Sequence, residues 1–173
     1  MRLMSRSRHI LGRAALALAM GVFLAACDPK AISELEEGVS TEADVRARFG
    51  PPEVVWEGDD GAVIYEYNRQ PEGYQNYHIT IGPDGTMSAL RQVLNERTFA
   101  QIRPGMSMEE VRRTLGRPMK VVEYPLKGET HYDWRWRNGP NESDSQVFTV
   151  VFGSGMTVVS TMSMRDPDLD RRR

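Results

Sequence analysis

The chain has 173 residues, 40% of them hydrophobic, and a net charge of −2 from 22 basic and 24 acidic residues. An ordinary apolar fraction excludes wholesale disorder, and a nearly balanced charge gives no electrostatic footprint for nucleic acid. One cysteine excludes an intrachain disulfide framework and any cysteine-built zinc site.

The averages hide a boundary near the start. Residues 1–26 carry Arg2, Arg6, Arg8 and Arg13 and no acid, and from Ala14 to Ala26 every side chain is apolar or absent. A basic opening before a short apolar run is the layout of a secretory signal. Thirteen helical residues reach only about 20 Å, short of a bilayer core of about 30 Å. The sole cysteine follows at once, in Leu24-Ala25-Ala26-Cys27. That sequence resembles a bacterial lipobox. The resemblance implies cleavage before Cys27, diacylglycerol on its sulfur and acylation of the new amino terminus. Two or more acyl chains make a stable anchor where one does not. Membrane lipid is therefore the first expected partner, through the Cys27 acyl chains, and residues 27–30 read as the anchored linker. The expected location is the periplasmic face of the outer membrane. Asp28, directly after the cysteine, leaves the periplasmic face of the inner membrane as the alternative.

Without the first 26 residues the chain holds 18 basic and 24 acidic residues, a net charge of −6. This remainder repeats itself. Thr41-Glu42-Ala43-Asp44-Val45-Arg46-Ala47-Arg48-Phe49-Gly50-Pro51-Pro52 aligns without a gap on Ser107-Met108-Glu109-Glu110-Val111-Arg112-Arg113-Thr114-Leu115-Gly116-Arg117-Pro118, at an offset of 66. Thr41 and Ser107 suit helix N-caps, and Asp44 and Glu110 complete capping boxes. Val45 with Phe49, and Val111 with Leu115, form an apolar stripe at helical spacing. Gly50 and Gly116 are expected to end the helices in the left-handed conformation, with a proline two residues on. Met106 is placed to staple onto Val111. An extra residue moves Val39 away from the matching position.

Period-two alternation then predicts strands: near Val54–Trp56, Val63–Tyr67 and Tyr77–Ile81 in the first copy. Lys120–Val122, Tyr132–Trp136 and Phe148–Phe152 answer them in the second. Turns at Gly82-Pro83-Asp84-Gly85 and Gly153-Ser154-Gly155 lead into final strands at about Thr86–Val93 and Met156–Met164. Short helices are predicted at Ala31–Glu37 and Asn95–Ile102. The domain reading is a signal peptide over 1–26, repeats over 31–93 and 94–165, and a loose charged tail over 166–173. Units of this size are marginal alone, so the two are expected to pack together.

Gly105-Met106-Ser107, followed by Val111, Leu115, Gly116 and Pro118, resembles the signature of the SmpA/OmlA family of BamE-like lipoproteins, and Thr98–Pro104 fits its approach. The resemblance implies an α+β fold: a tandem of helix–helix–antiparallel-sheet units like the β-lactamase inhibitor protein fold. It also implies a non-enzymatic, lipid-anchored protein without cofactors. Such a protein would support outer-membrane assembly or envelope integrity, with the β-barrel assembly machinery as a partner. The alternative is an inhibitor or binding module that clamps a secreted hydrolase.

Candidate partner-binding residues are Gly105, Met106 and Ser107 in the motif loop, with the aromatic row Tyr132, Trp134 and Trp136. For the row two readings stand: a core face under the helices, or a concave aromatic surface, since Trp and Tyr are enriched at binding hot spots. His78 and His131 fall on the opposite strand faces, where solvent exposure is expected. No Cys-x-x-Cys, His-Glu-x-x-His or Gly-x-Ser-x-Gly pattern accompanies them, so no metal or catalytic centre is expected.

Overall fold

Two hydroxyl residues set the frame. Thr41 opens helix α1 (Glu42–Phe49) and Ser107 opens helix α3 (Met108–Leu115), and both capping boxes are complete. The Thr41 and Ser107 hydroxyls accept from the Asp44 and Glu110 amides, while those carboxylates accept from the Thr41 N–H at 2.9 Å and the Ser107 N–H at 2.7 Å. The same N–H and hydroxyl donors hold both carboxyls below their ordinary pKa. The computed structural model describes residues 32–169. Cys27, the expected signal segment before it, and Arg171–Arg173 lie outside the described residues.

After α1 come β1 (Val54–Glu57), β2 (Val63–Asn68), β3 (Asn76–Ile81) and β4 (Met87–Gln92). After α2 (Glu96–Phe99) and α3 come β5 (Lys120–Tyr124), β6 (Glu129–Arg137), β7 (Ser145–Phe152) and β8 (Val158–Arg165). Each set of four forms an antiparallel sheet in chain order. The fold is α+β, as the alternation and capping signals predict. Of the helix expected at 31–37, the described part is helical only at Ile32 and Ser33 and then turns.

The loops before the two helices bond to their sheets in parallel ways. Gly38 N–H donates to Met87 O and Gly105 N–H to Val158 O, both at 2.8 Å. In return, Met87 N–H donates to Ser40 O and Val158 N–H to Met106 O, again both at 2.8 Å. Glycine is needed here because φ is +81° at Gly38 and +90° at Gly105. The helix ends differ from expectation. Gly50 (φ 80°, ψ −166°) and Gly116 (φ 74°, ψ −168°) have positive φ but extended ψ. This is not the left-handed helical region but the mirror-image extended one, which turns the chain sharply into the following strand.

Each helix covers one face of its own sheet. Val45 packs with Tyr65, Tyr67, Tyr77, Ile79, Ile81 and Met87. Val111 and Leu115 pack with Trp134, Trp136, Phe148, Val150, Phe152 and Val158. Met106 packs against this second core, whereas Val39 is 65% exposed. The staple is thus present only where the spacing allows it.

The other face of the first sheet is also covered, by the far side of α3. Asn76 Nδ2 donates to Leu115 O at 2.8 Å, Arg117 N–H donates to Asn68 Oδ1 at 2.8 Å, and Arg113 lies over the Trp56 ring. The order of layers is α1, first sheet, α3, second sheet.

Candidate functional site

The motif loop is engaged internally. Gly105 and Met106 spend backbone groups on Val158, Met106 fills the core edge, and the Ser107 hydroxyl serves the cap. The aromatic row divides. Trp134 is fully buried, with Nε1 donating to Gly116 O at 3.1 Å. Trp136 is buried edge-on to Phe99, which stacks on Phe148. These two tryptophans are core, not a concave binding surface, because α2 and α3 lie across that face. Tyr132 is only partly buried, against Phe152.

The histidines are not equivalent either. His78 is not the solvent-facing residue expected. It lies in the seam between the first sheet and α3, its Nε2 covered and without a hydrogen-bond partner. Burial lowers its pKa, Glu66 acts the other way and Arg112 adds to the lowering. The His131 ring packs at a tilt against Tyr124, centroids 4.4 Å apart, and its Nε2 sits 3.0 Å from Glu129 Oε2. Glu66, fully buried in the same seam, accepts from Trp56 Nε1 at 2.8 Å and Asn68 Nδ2 at 2.7 Å. Buried carboxylates persist only when satisfied in this way.

A second polar node joins the units near the end of the chain. Gln70 Nε2 donates to Arg135 O at 2.7 Å and Arg135 Nη1 to Pro71 O at 2.9 Å. Arg135 Nε pairs with Asp166 Oδ2 at 2.7 Å, which also accepts from Ser145 Oγ. Asp166 and Leu169 are buried, so the charged tail expected from 166 is not loose over its first four residues. Burial pushes the Asp166 carboxyl up, but the Asp168 N–H, the Ser145 hydroxyl and Arg135 together hold it below its ordinary value. A lowered folded pKa means that ionised Asp166 stabilises the fold above the unfolded carboxylate pKa of about 4, and that this contribution is lost as pH falls through the folded value. The stability gap between the protein and Asp166→Asn should be wide at pH 6 and should narrow below about pH 4. Urea unfolding across that range reads it directly, and a gap independent of pH contradicts the assignment.

The outward face of the second sheet is different. A basin of about 370 Å³ is lined only by residues of β5–β8 and their flanks, and no helix contributes to it. Val147 and Thr149 form a buried floor. Lys120, Tyr124 and His131 rim one side and Met162 and Met164 the other. Tyr124, Met162 and Met164 are among the exposed large apolar residues. Asp133, accepting from Thr149 Oγ1 at 2.6 Å, places a charge beside the floor. Sequence reasoning missed this surface. The available signal was the apolar stretch of β7 over Val147–Phe152, interrupted only by Thr149, which marks a strand with apolar residues on both faces. Among the described residues no cluster of three or more His, Cys, Asp or Glu is placed to hold a metal, and no helix is long and apolar enough to cross a membrane.

Comparison with known proteins bears on the second unit. The sequence profile of the Outer membrane protein assembly factor BamE domain matches residues 92–162. No curated protein sequence matches the chain. Among solved structures the chain is similar to a putative osmotically inducible lipoprotein, OsmE, at 24% identity over 45% of this chain and 79% of that one, with a TM-score of 0.36. It is similar to a DUF4309 family protein (YjgB) from Bacillus subtilis subsp. subtilis str. 168 at 22% identity, over 77% of this chain and 83% of that one, with a TM-score of 0.30. A putative β-lactamase inhibitor protein from Streptococcus mutans is 14% identical over 72% of this chain and 82% of that one, with a TM-score of 0.30. The profile match begins at the end of β4 and runs into β8, so the likeness to the BamE domain takes in α2, α3 and nearly all of the second sheet.

Proposed function

We propose that this protein is a lipid-anchored periplasmic component of the cell envelope that supports outer-membrane protein assembly through protein contacts. The observation that carries the reading is the match to the BamE domain over 92–162. The lipobox at Cys27 supports it independently by supplying an acyl anchor. In this reading the chain matures at Cys27 and comprises two BamE-like repeats, 31–93 and 94–165. The first repeat braces α3 from behind, and the second presents its outward sheet face to a partner. Its work is binding and positioning, without a cofactor, and the outer membrane is its expected home.

The basin around Lys120, Tyr124 and Met162 is the working surface in this proposal. The motif loop and the two tryptophans are occupied with packing, while this face has apolar floor, aromatic rim and charge within one concavity. Affinity purification from solubilised membranes tests the reading. Recovery of barrel-assembly proteins is expected, and Lys120→Glu should reduce it without changing thermal stability. Recovery of a single secreted hydrolase instead favours the clamp, and recovery from the inner-membrane fraction alone overturns the location.

A further inference from the structure

The two sheets end on edge strands that are treated differently. In the first sheet, the outward N–H of Leu90 on β4 donates to Glu37 Oε1 at 2.9 Å, and Arg91 pairs with the same carboxylate. Glu37 thus takes the position an added strand would occupy. Its pKa is lowered by the Arg91 hydrogen bond first and the Leu90 N–H second. In the second sheet the corresponding strand is β8. Thr161 pairs with Val150 as Leu90 pairs with Ile79. With Gly38 matched to Gly105 the residue in the place of Glu37 is Pro104, and the residue after Thr161, in the place of Arg91, is Met162. Neither the carboxylate nor its guanidinium partner is present.

The open edge can be read residue by residue. Asp166 N–H donates inward to Ser145 O, and Val158 bonds outward to the Gly105–Met106 loop. Alternation from Asp166 turns the backbone groups of Arg165, Ser163 and Thr161 outward. No described residue bonds to them. Val159, Met162 and Met164 are 54%, 41% and 46% exposed. A long edge with one charge and no proline is a template for strand addition.

We propose that β8 pairs antiparallel with β8 of a second copy of this chain, about a two-fold axis at Ser163. The register follows from the side chains. Pairing about Ser163 sets Thr161 opposite Arg165 of the other copy, so no like charges meet. It also sets Met162 beside Met164 of the other copy, twice over, on the outward face. The four methionines then close over one another, and the two second sheets join into one eight-stranded sheet. Their basins come to lie side by side. An isologous contact of this kind closes on itself and does not propagate.

Two measurements test it. Across the axis, Ser163 faces Ser163 of the other copy with Cα atoms about 5.5 Å apart, as in a hydrogen-bonded antiparallel pair, within disulfide reach. Oxidation of membranes carrying Ser163→Cys should give a band at twice the chain mass. The unsubstituted protein and Ser154→Cys, in the exposed β7–β8 turn, should give none. Equal trapping at 154 and 163, or none at 163, overturns the proposal. In the second measurement, Ser163→Pro removes only an outward N–H, which an edge strand tolerates. Sedimentation of the detergent-solubilised full protein should show twice the chain mass, and the proline variant the single mass with unchanged circular dichroism. A single mass for the unsubstituted protein overturns the pairing.

Discussion

Gly116→Ala is expected to destabilise the protein by about 3–5 kcal/mol, well beyond Gly50→Ala, although the two glycines occupy matching positions in the two units. Both have positive φ with extended ψ, and forcing an L-residue into that region costs about 1–3 kcal/mol. At Gly50 an added Cβ meets nothing within 4 Å, so the strain stands alone. At Gly116 it would lie 2.4 Å from Asn68 Oδ1 and 2.9 Å from Asn76 Nδ2. Those atoms hold Arg117 N–H and Leu115 O across the seam. Moving them leaves buried polar groups unpaired, at about 1–3 kcal/mol each. Paired urea unfolding of the two variants measures the difference. Equal losses would mean that the seam between first sheet and α3 is not closely packed.

Trp134→Ala is expected to cost about 3–5 kcal/mol for the cavity, since the side chain is fully buried, and more for the orphaned acceptor at Gly116. Trp134→Phe keeps most of the apolar volume and loses only the Nε1 bond, so it should fall well short of the alanine variant. The two sites are coupled. The Gly116 carbonyl caps Trp134 while its Cα lies against Asn68 and Asn76. A double-mutant cycle of Gly116→Ala with Trp134→Phe should therefore be non-additive by at least about 0.5 kcal/mol. Additive losses would contradict the shared contact. Chemical denaturation with tryptophan-independent detection, such as far-ultraviolet circular dichroism, supplies all four corners.

What was legible in the sequence is what is local. The capping boxes involve residues three apart and appear as read. The strands follow side-chain alternation, and β2, β3, β6 and β7 lie within a few residues of their expected places. The inward face of each sheet was likewise visible, because Tyr65, Tyr67, Ile79, Trp134 and Phe148 repeat with period two. Alternation sees one neighbour layer only. It placed His78 in solvent, on the face that also carries Glu66, Asn68 and Asn76, whereas α3, some 30 residues later in the chain, covers that face. Asparagine is disfavoured in strands, so Asn68 and Asn76 were the available hint that these positions serve a polar seam. The tail misled for a related reason. Asp166 reads as one charge among many until Arg135, buried on β6, needs a counter-ion.

The aromatic row carries the same lesson for function. Trp, Tyr and Arg mark binding hot spots only when they reach solvent. Here two of the three aromatics sit beneath α2 and α3, and Arg135 is locked between Asp166 and Pro71. The candidate surface moves to the opposite face, where the residues are less conspicuous in sequence: Lys120, Tyr124, His131, Met162 and Met164. That shift leaves the first unit a distinct mechanical role. Its outward sheet face is consumed in holding α3, while no described helix covers the basin on the equivalent face of the second unit.

The claim that this outward face does the work is tested most directly by photocrosslinking in cells. A photoreactive amino acid at Lys120, in the basin, should capture an outer-membrane assembly protein. The same amino acid at Ala47, on the exposed side of α1, should capture none. Adducts from Ala47 alone, or none from Lys120 in a protein that retains its fold, would contradict the account.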